Sequence, residues 1–245
     1  MANRLIIEKF LNYSEDARLD ETKLKSKYGT PLTFIENKST DTQGFILEKN
    51  IYGKNFLIIS FRGTQQSQDW LTDFNAWHTE IPYGNTSSKI KVHQGFLKCY
   101  KSVREEILQY IQKHKDKFTR IYITGHSLGG ALSVLCAVDI QYNNPNLNLI
   151  VYTSGAPAVG NKAFARSYNK RVADTTRTYA KRDIVPKLPP WWFCKRLRGG
   201  YRHVEKSNPI GPNGFWAGFK YFFKLKLDFA GCLTNHSIEL YKKWC

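Results

Sequence analysis

The chain has 245 residues, 42% hydrophobic and 14% aromatic, and its 37 Lys and Arg against 20 Asp and Glu give a formal charge of +17. That length and apolar content suit one α/β domain with a sizeable core, and no linker or repeat divides it. No uninterrupted apolar run approaches the roughly 18 residues of a membrane span, and the five cysteines, Cys99, Cys136, Cys194, Cys232 and Cys245, show no zinc spacing.

In chain order, residues 1–10 hold Arg4, Glu8 and Lys9 within a short apolar stretch, so they do not read as a secretory signal. With an odd number of cysteines, this sets the expectation of a reducing, intracellular location. Strand-like apolar runs follow at 32–35, 44–47 and 56–61, the last ending in Arg62-Gly63-Thr64. The segment 65–83 spaces Trp70, Phe74 and Trp77 on one helical face. Residues 96–117 read as an amphipathic helix, with Val103, Ile107, Tyr110 and Ile111 on one stripe. Further strand-like runs at 121–124, 147–153 and 177–180 alternate with helical stretches, which predicts a mostly parallel sheet with helices on both faces.

Gly125-His126-Ser127-Leu128-Gly129 lies where the run 121–124 meets the helix-forming run 131–140. A G-x-S-x-G at a strand-to-helix junction is where a nucleophilic serine is held on a strained turn. Serine needs a base oriented by a carboxylate, expected downstream in the order Ser, Asp or Glu, His. Only His203 and His236 follow Ser127. His203 falls in a strand-like stretch, whereas His236 falls on a loop before the closing helical run 237–244, so His236 is the expected base. Asp183 follows the run 177–180 and is the expected carboxylate; its alternative reading is a turn aspartate before Pro186. The other downstream aspartates, Asp139, Asp174 and Asp228, are less well placed: Asp139 is carried away along the elbow helix. For the oxyanion, the backbone N–H of Leu128 is one expected donor and that of Thr64 the other. His93 and His126 read as structural, His78 and His114 as surface residues.

These motifs resemble the class 3 lipases. The likeness runs from about residue 45 to 241 and is carried by Ser60-Phe61-Arg62-Gly63-Thr64, Asp69-Trp70-Leu71-Thr72-Asp73, Val92-His93-Gln94-Gly95-Phe96, the elbow, Ser154-Gly155-Ala156-Pro157 and Asp183-Ile184-Val185-Pro186. The resemblance implies an α/β-hydrolase fold, with Ser127, Asp183 and His236 as the triad and Thr64 and Leu128 as the oxyanion hole. It makes Asp73 a brace of the oxyanion loop. It also implies a lid within 65–83, so Trp70, Leu71 and Phe74, together with Val185, are the expected lid or acyl-pocket side chains. The implied activity is lipid-ester hydrolysis, on triacylglycerol, monoacylglycerol or phospholipid, with no metal or organic cofactor. The alternative is a noncatalytic hydrolase-fold scaffold that binds lipid or a protein partner.

The positive charge is partly local, with 13 basic against 4 acidic residues from 181 to 245. Much of it interleaves with aromatics, as in Trp191-Trp192-Phe193-Cys194-Lys195-Arg196 and in residues 215–224. Rings that settle among headgroups beside cations would dock on an anionic membrane or lipid droplet surface. No nucleic-acid-binding motif accompanies the charge, so nucleic acid is not the expected partner.

Overall fold

Alternating strand-like and helical runs of this kind can bury their apolar sides only by layering helices on a sheet, and a computed structural model of the chain shows that layering. Residues 4–63, 78–80, 89–188, 200–204, 207–211 and 236–245 are described, 78–80 by backbone alone. Their elements in chain order are α1 (Arg4–Asp16), α2 (Glu21–Tyr28), β1 (Leu32–Asn37), β2 (Thr42–Ile51), β3 (Lys54–Phe61), β4 (His78–Glu80), β5 (Lys91–His93), α3 (Gln94–His114), β6 (Arg120–His126), α4 (Leu128–Asn143), β7 (Leu149–Ser154), β8 (Gly160–Asn161), α5 (Lys162–Arg171), β9 (Thr175–Ala180), β10 (Tyr201–Arg202), β11 (Ser207–Ile210) and α6 (Ile238–Trp244).

The central sheet has the order β1-β2-β3-β6-β7-β9-β11. Its first three strands form an antiparallel meander, and from β3 onward every neighbouring pair is parallel. This is the expected mostly parallel α/β sheet. Side chains alternate across it as a pleated strand requires. Leu57, Ile59, Phe61, Ile121 and Ile123 join a core shared with α3 and α4, while Ile58 and Tyr122 pack with Phe10, Tyr13 and Leu24 from α1 and α2 on the opposite face.

Helix α4 is buried from Leu128 to Gln141. It has no apolar stripe because it lies between the sheet and the helices α3 and α5, so apolar residues occupy all its sides. Its one buried carboxylate, Asp139, is met by Arg104 Nε and Nη2 at 2.5 and 3.1 Å, Tyr100 Oη at 2.7 Å and Asn143 Nδ2 at 2.9 Å. Those donors offset a desolvation cost that an unpaired charge could not bear. His114, expected at the surface, is half-buried against the Tyr110 ring at 4.7 Å.

Register places the functional edge. Phe61 pairs with Gly125, His126 with Ser154, and Ser154 with Thr178. The carboxyl ends of β3, β6, β7 and β9 therefore finish level, and ligand sites of open α/β sheets lie beyond such ends. A second, antiparallel sheet, β10-β8-β5-β4, flanks this layer. Helix α6 closes the fold by packing Ile238 and Tyr241 with Ile7 and Leu11 of α1 and Ala180 of β9. Lys242 of α6 also pairs with Glu15 of α1.

Candidate active site

Ser127 occupies the turn between β6 and α4 at φ 59°, ψ −125°. A side chain in that region costs on the order of 1–3 kcal/mol and persists only where neighbours enforce it. Here the Ser127 N–H donates to the Ser154 carbonyl at 2.9 Å, and the Ser127 carbonyl accepts the N–H of Gly130 at 3.0 Å. The tightness of the turn explains its glycines. A Cβ on Gly125 would lie 2.2 Å from the Gly129 backbone, and one on Gly129 would lie 2.3 Å from the Phe61 carbonyl oxygen.

Asp183 sits in the loop after β9 with no solvent exposure. Its Oδ1 accepts the Val185 N–H at 2.9 Å, and its Oδ2 accepts from His236 Nδ1 at 2.7 Å and from Tyr241 Oη at 2.6 Å. Because Nδ1 donates to a carboxylate, the neutral imidazole has its lone pair on Nε2. His236 Nε2 and Ser127 Oγ are both buried and, among the described residues, neither has a hydrogen-bond partner. The two atoms that would exchange a proton are thus among the buried atoms left without a partner in the described residues, a pattern common where the catalytic bond tightens only around substrate. His236 also lies at the end of β7, the strand beside the one that leads into Ser127: a Cβ on Gly155, next to Ser154, would be 3.0 Å from His236 Cε1.

His126 is structural, as expected, and its role is specific. Its Nε2 meets the His236 carbonyl at 2.8 Å and its Nδ1 meets Ser154 Oγ at 3.0 Å. A carbonyl only accepts, so Nε2 carries the proton and Ser154 donates to Nδ1. Complete burial, then the neighbouring charge of His236, push the His126 imidazole well below its ordinary value and keep it neutral. His203, the other downstream histidine, contacts the Pro186 carbonyl at 2.5 Å rather than a carboxylate. Burial, then Arg177, lower it to about 4. His93 caps α3, with Nδ1 accepting the N–H groups of Gly95 and Phe96.

Of the remaining expected site residues, Leu128 opens α4, where its N–H has no carbonyl a turn earlier to bond within the helix. Val185 is wholly buried in a single 3₁₀ turn, Val185–Lys187, and its N–H holds Asp183. Thr64, Trp70, Leu71, Asp73 and Phe74 lie outside the described residues, as do Cys194, Cys232 and the segments 191–196 and 215–224. The preceding residue, Gly63, is described, and a Cβ there would lie 3.4 Å from Ser127 Cβ, so the segment leaving β3 reaches Ser127. Tyr241 and Ser154 are additions that sequence reasoning missed. A tyrosine on an amphipathic helix and a serine ending a strand carry no spacing signal that separates them from ordinary core residues.

The chain is 37% identical over 171 residues to a lipase of Rhizomucor miehei, covering 68% of this chain and 43% of that protein. It is 33% identical over 153 residues to a chloroplastic phospholipase A(1) of Arabidopsis thaliana, covering 56% of this chain and 34% of that one. The chain therefore spans less than half the length of these relatives. Among solved structures it resembles a Rhizomucor miehei lipase propeptide complex, with TM-score 0.71 and 28% identity over 86% of this chain and 67% of that one. A lipase from Rhizopus microsporus var. chinensis matches with TM-score 0.71 and 30% identity, covering 87% and 77%. The family model for lipase (class 3) matches residues 58–193, more than half the chain. An α/β-hydrolase sheet, a strained serine at its edge and this family match place the chain in the class 3 lipase family.

Proposed function

We propose that the protein is a serine hydrolase of lipid esters that works through Ser127, His236 and Asp183. The observation that carries this reading is that Ser127 Oγ and His236 Nε2 are buried with no hydrogen-bond partner among the described residues, the latter on an imidazole held by Asp183 at 2.7 Å. In the proposed cycle His236 Nε2 takes the Ser127 proton as the hydroxyl attacks the acyl carbonyl. Asp183 holds the imidazole in the tautomer that leaves Nε2 free and stabilises the imidazolium that forms. The N–H groups of Leu128 and Thr64 receive the oxyanion, a contribution of about 3 kcal/mol for each donor. The imidazolium then gives its proton to the departing alcohol. Water, deprotonated by the same nitrogen, releases the fatty acid from the acyl-serine. No step needs a metal or an organic cofactor. Val185, with Trp70, Leu71 and Phe74, is proposed to serve the lid or acyl side of the site.

Triacylglycerol, monoacylglycerol and phospholipid are the proposed substrate class, supported by the names of the relatives, which include both lipase and phospholipase A(1). Ser127→Ala should lower turnover of a p-nitrophenyl ester by on the order of a millionfold and abolish labelling by a fluorophosphonate. Near-parental turnover in that variant would show that another nucleophile acts, and a parent without turnover or labelling would show the domain to be a scaffold. Contact with an anionic membrane or droplet surface is also proposed, supported by the basic, aromatic-rich final quarter of the sequence.

A further inference from the structure

Tyr241, a residue of α6 with no solvent exposure, donates to Asp183 Oδ2 at 2.6 Å, the same oxygen that accepts His236 Nδ1–H at 2.7 Å. We infer that Tyr241 is a positioning residue of the triad: its phenol aims the Asp183 carboxylate and draws off part of the charge facing the imidazole, and so sets how tightly His236 holds a proton. The catalytic consequence rests on the hydrolase reading above; the geometry does not.

The phenol has only one proton to give, and its destination is fixed. Tyr241 Oη accepts the Ala180 N–H at 3.0 Å, so its own hydrogen is committed to Asp183. Ala180 ends β9, and its carbonyl accepts the Asp183 N–H at 3.0 Å. The phenol therefore bridges the backbone and side-chain ends of the turn that presents the carboxylate. With the Val185 N–H on Oδ1, both carboxylate oxygens have donors besides the imidazole. The ring is held edge-on to His126, with centroids 5.2 Å apart at 77°, and packs with Ile7, Leu11 and Ile238. Burial, then the Asp183 charge, push the phenol well above its ordinary value, so it stays a donor throughout the working pH range. A buried tyrosine commonly finds some partner. What separates Tyr241 from that ordinary case is its sharing of one oxygen with the base. Helix α6 begins two residues after His236, so one short segment supplies both the base and the group that aims its carboxylate.

The other titratable or charged groups acting here are His126 from β6, Arg177 from β9 and Arg18 from the turn after α1. All are unchanged in the variants below. The test follows the His236 imidazole by NMR titration and, in parallel, the acid limb of the pH–rate profile on a soluble ester. In Tyr241→Phe, Asp183 loses a donor and grips the imidazolium harder, so the His236 midpoint should rise by about half a pH unit or more. Turnover number should fall about tenfold with KM within about twofold. Replacing Tyr241 by 3-fluorotyrosine keeps the bridge to Ala180 with a stronger donor, and should move the midpoint down. If Tyr241→Phe does not fold, the fluorotyrosine protein decides alone, since an unmoved or raised midpoint there overturns the inference. An unmoved or lowered midpoint in folded Tyr241→Phe overturns it too, because a merely structural tyrosine would change thermal stability without that directional shift. An inactive parent whose His236 midpoint still responds would defeat the hydrolase reading and leave the positioning role standing.

Discussion

Asp183 is the residue at which most of the site's contacts meet, accepting from Val185, His236 and Tyr241 while wholly buried. Replacing one oxygen by an amide shows what the carboxylate contributes. Asp183→Asn places an N–H group where an acceptor is needed, which favours the imidazole tautomer with its proton on Nε2, the wrong nitrogen. Turnover number should fall by about 10⁴ with little change in KM, measured on a soluble ester beside a thermal melt showing that the variant is folded. Much of this residue-level logic was legible beforehand. The elbow glycines, the strand before Ser127 and the helix after it follow from local sterics, and the order of Ser127, Asp183 and His236 follows from the architecture. Tyr241 was not legible, because its role depends on where α6 packs rather than on any spacing.

At the scale of elements, α3 and α4 are joined by a buried charge whose only cationic partner among the described residues is Arg104. Asp139 has no solvent exposure, so removing its counter-ion leaves a carboxylate with the neutral donors Tyr100 and Asn143 alone. Arg104→Leu should lower the unfolding free energy by about 3 kcal/mol, read by urea denaturation. Adding Asp139→Asn should recover part of that loss. Six strands of the large sheet were legible from β-branched and aromatic runs, whereas β11, Ser207-Asn208-Pro209-Ile210, carries no such run and was not. The small sheet was not, since β8 and β10 are two residues long and β5 three, too short for any period to register. His203 illustrates the same limit. It reads as a strand histidine, yet what separates it from His236 is a tertiary contact with the Pro186 carbonyl.

For the whole molecule, two neutral histidines, His126 buried and His203 half-buried, make stability depend on pH with a definite sign. His203 is held down to about 4 and His126 well below its ordinary value, both chiefly by burial. An unfolded chain protonates its histidines as pH falls through roughly 6.5, while the native chain resists until about 4 at His203. Their contribution is therefore fully present above about 6.5 and is lost as pH drops from there toward 4. The melting temperature should fall between pH 7.5 and pH 5, and His203→Gln should flatten part of that slope. Charge acts at the same scale. With +17 overall, flotation on anionic vesicles should weaken steeply as salt rises from about 0.05 to 0.5 M. Binding that ignores both salt and lipid charge would remove the surface-docking proposal.

Helix α6 rests on α1, with Cys245 packed beside Ile7 and Leu11 and within the electrostatic reach of Arg4. The first and last described stretches of backbone thus meet at one place, behind the segment that carries His236. His236 is consequently tethered from downstream through α1, the described element most distant from it in sequence.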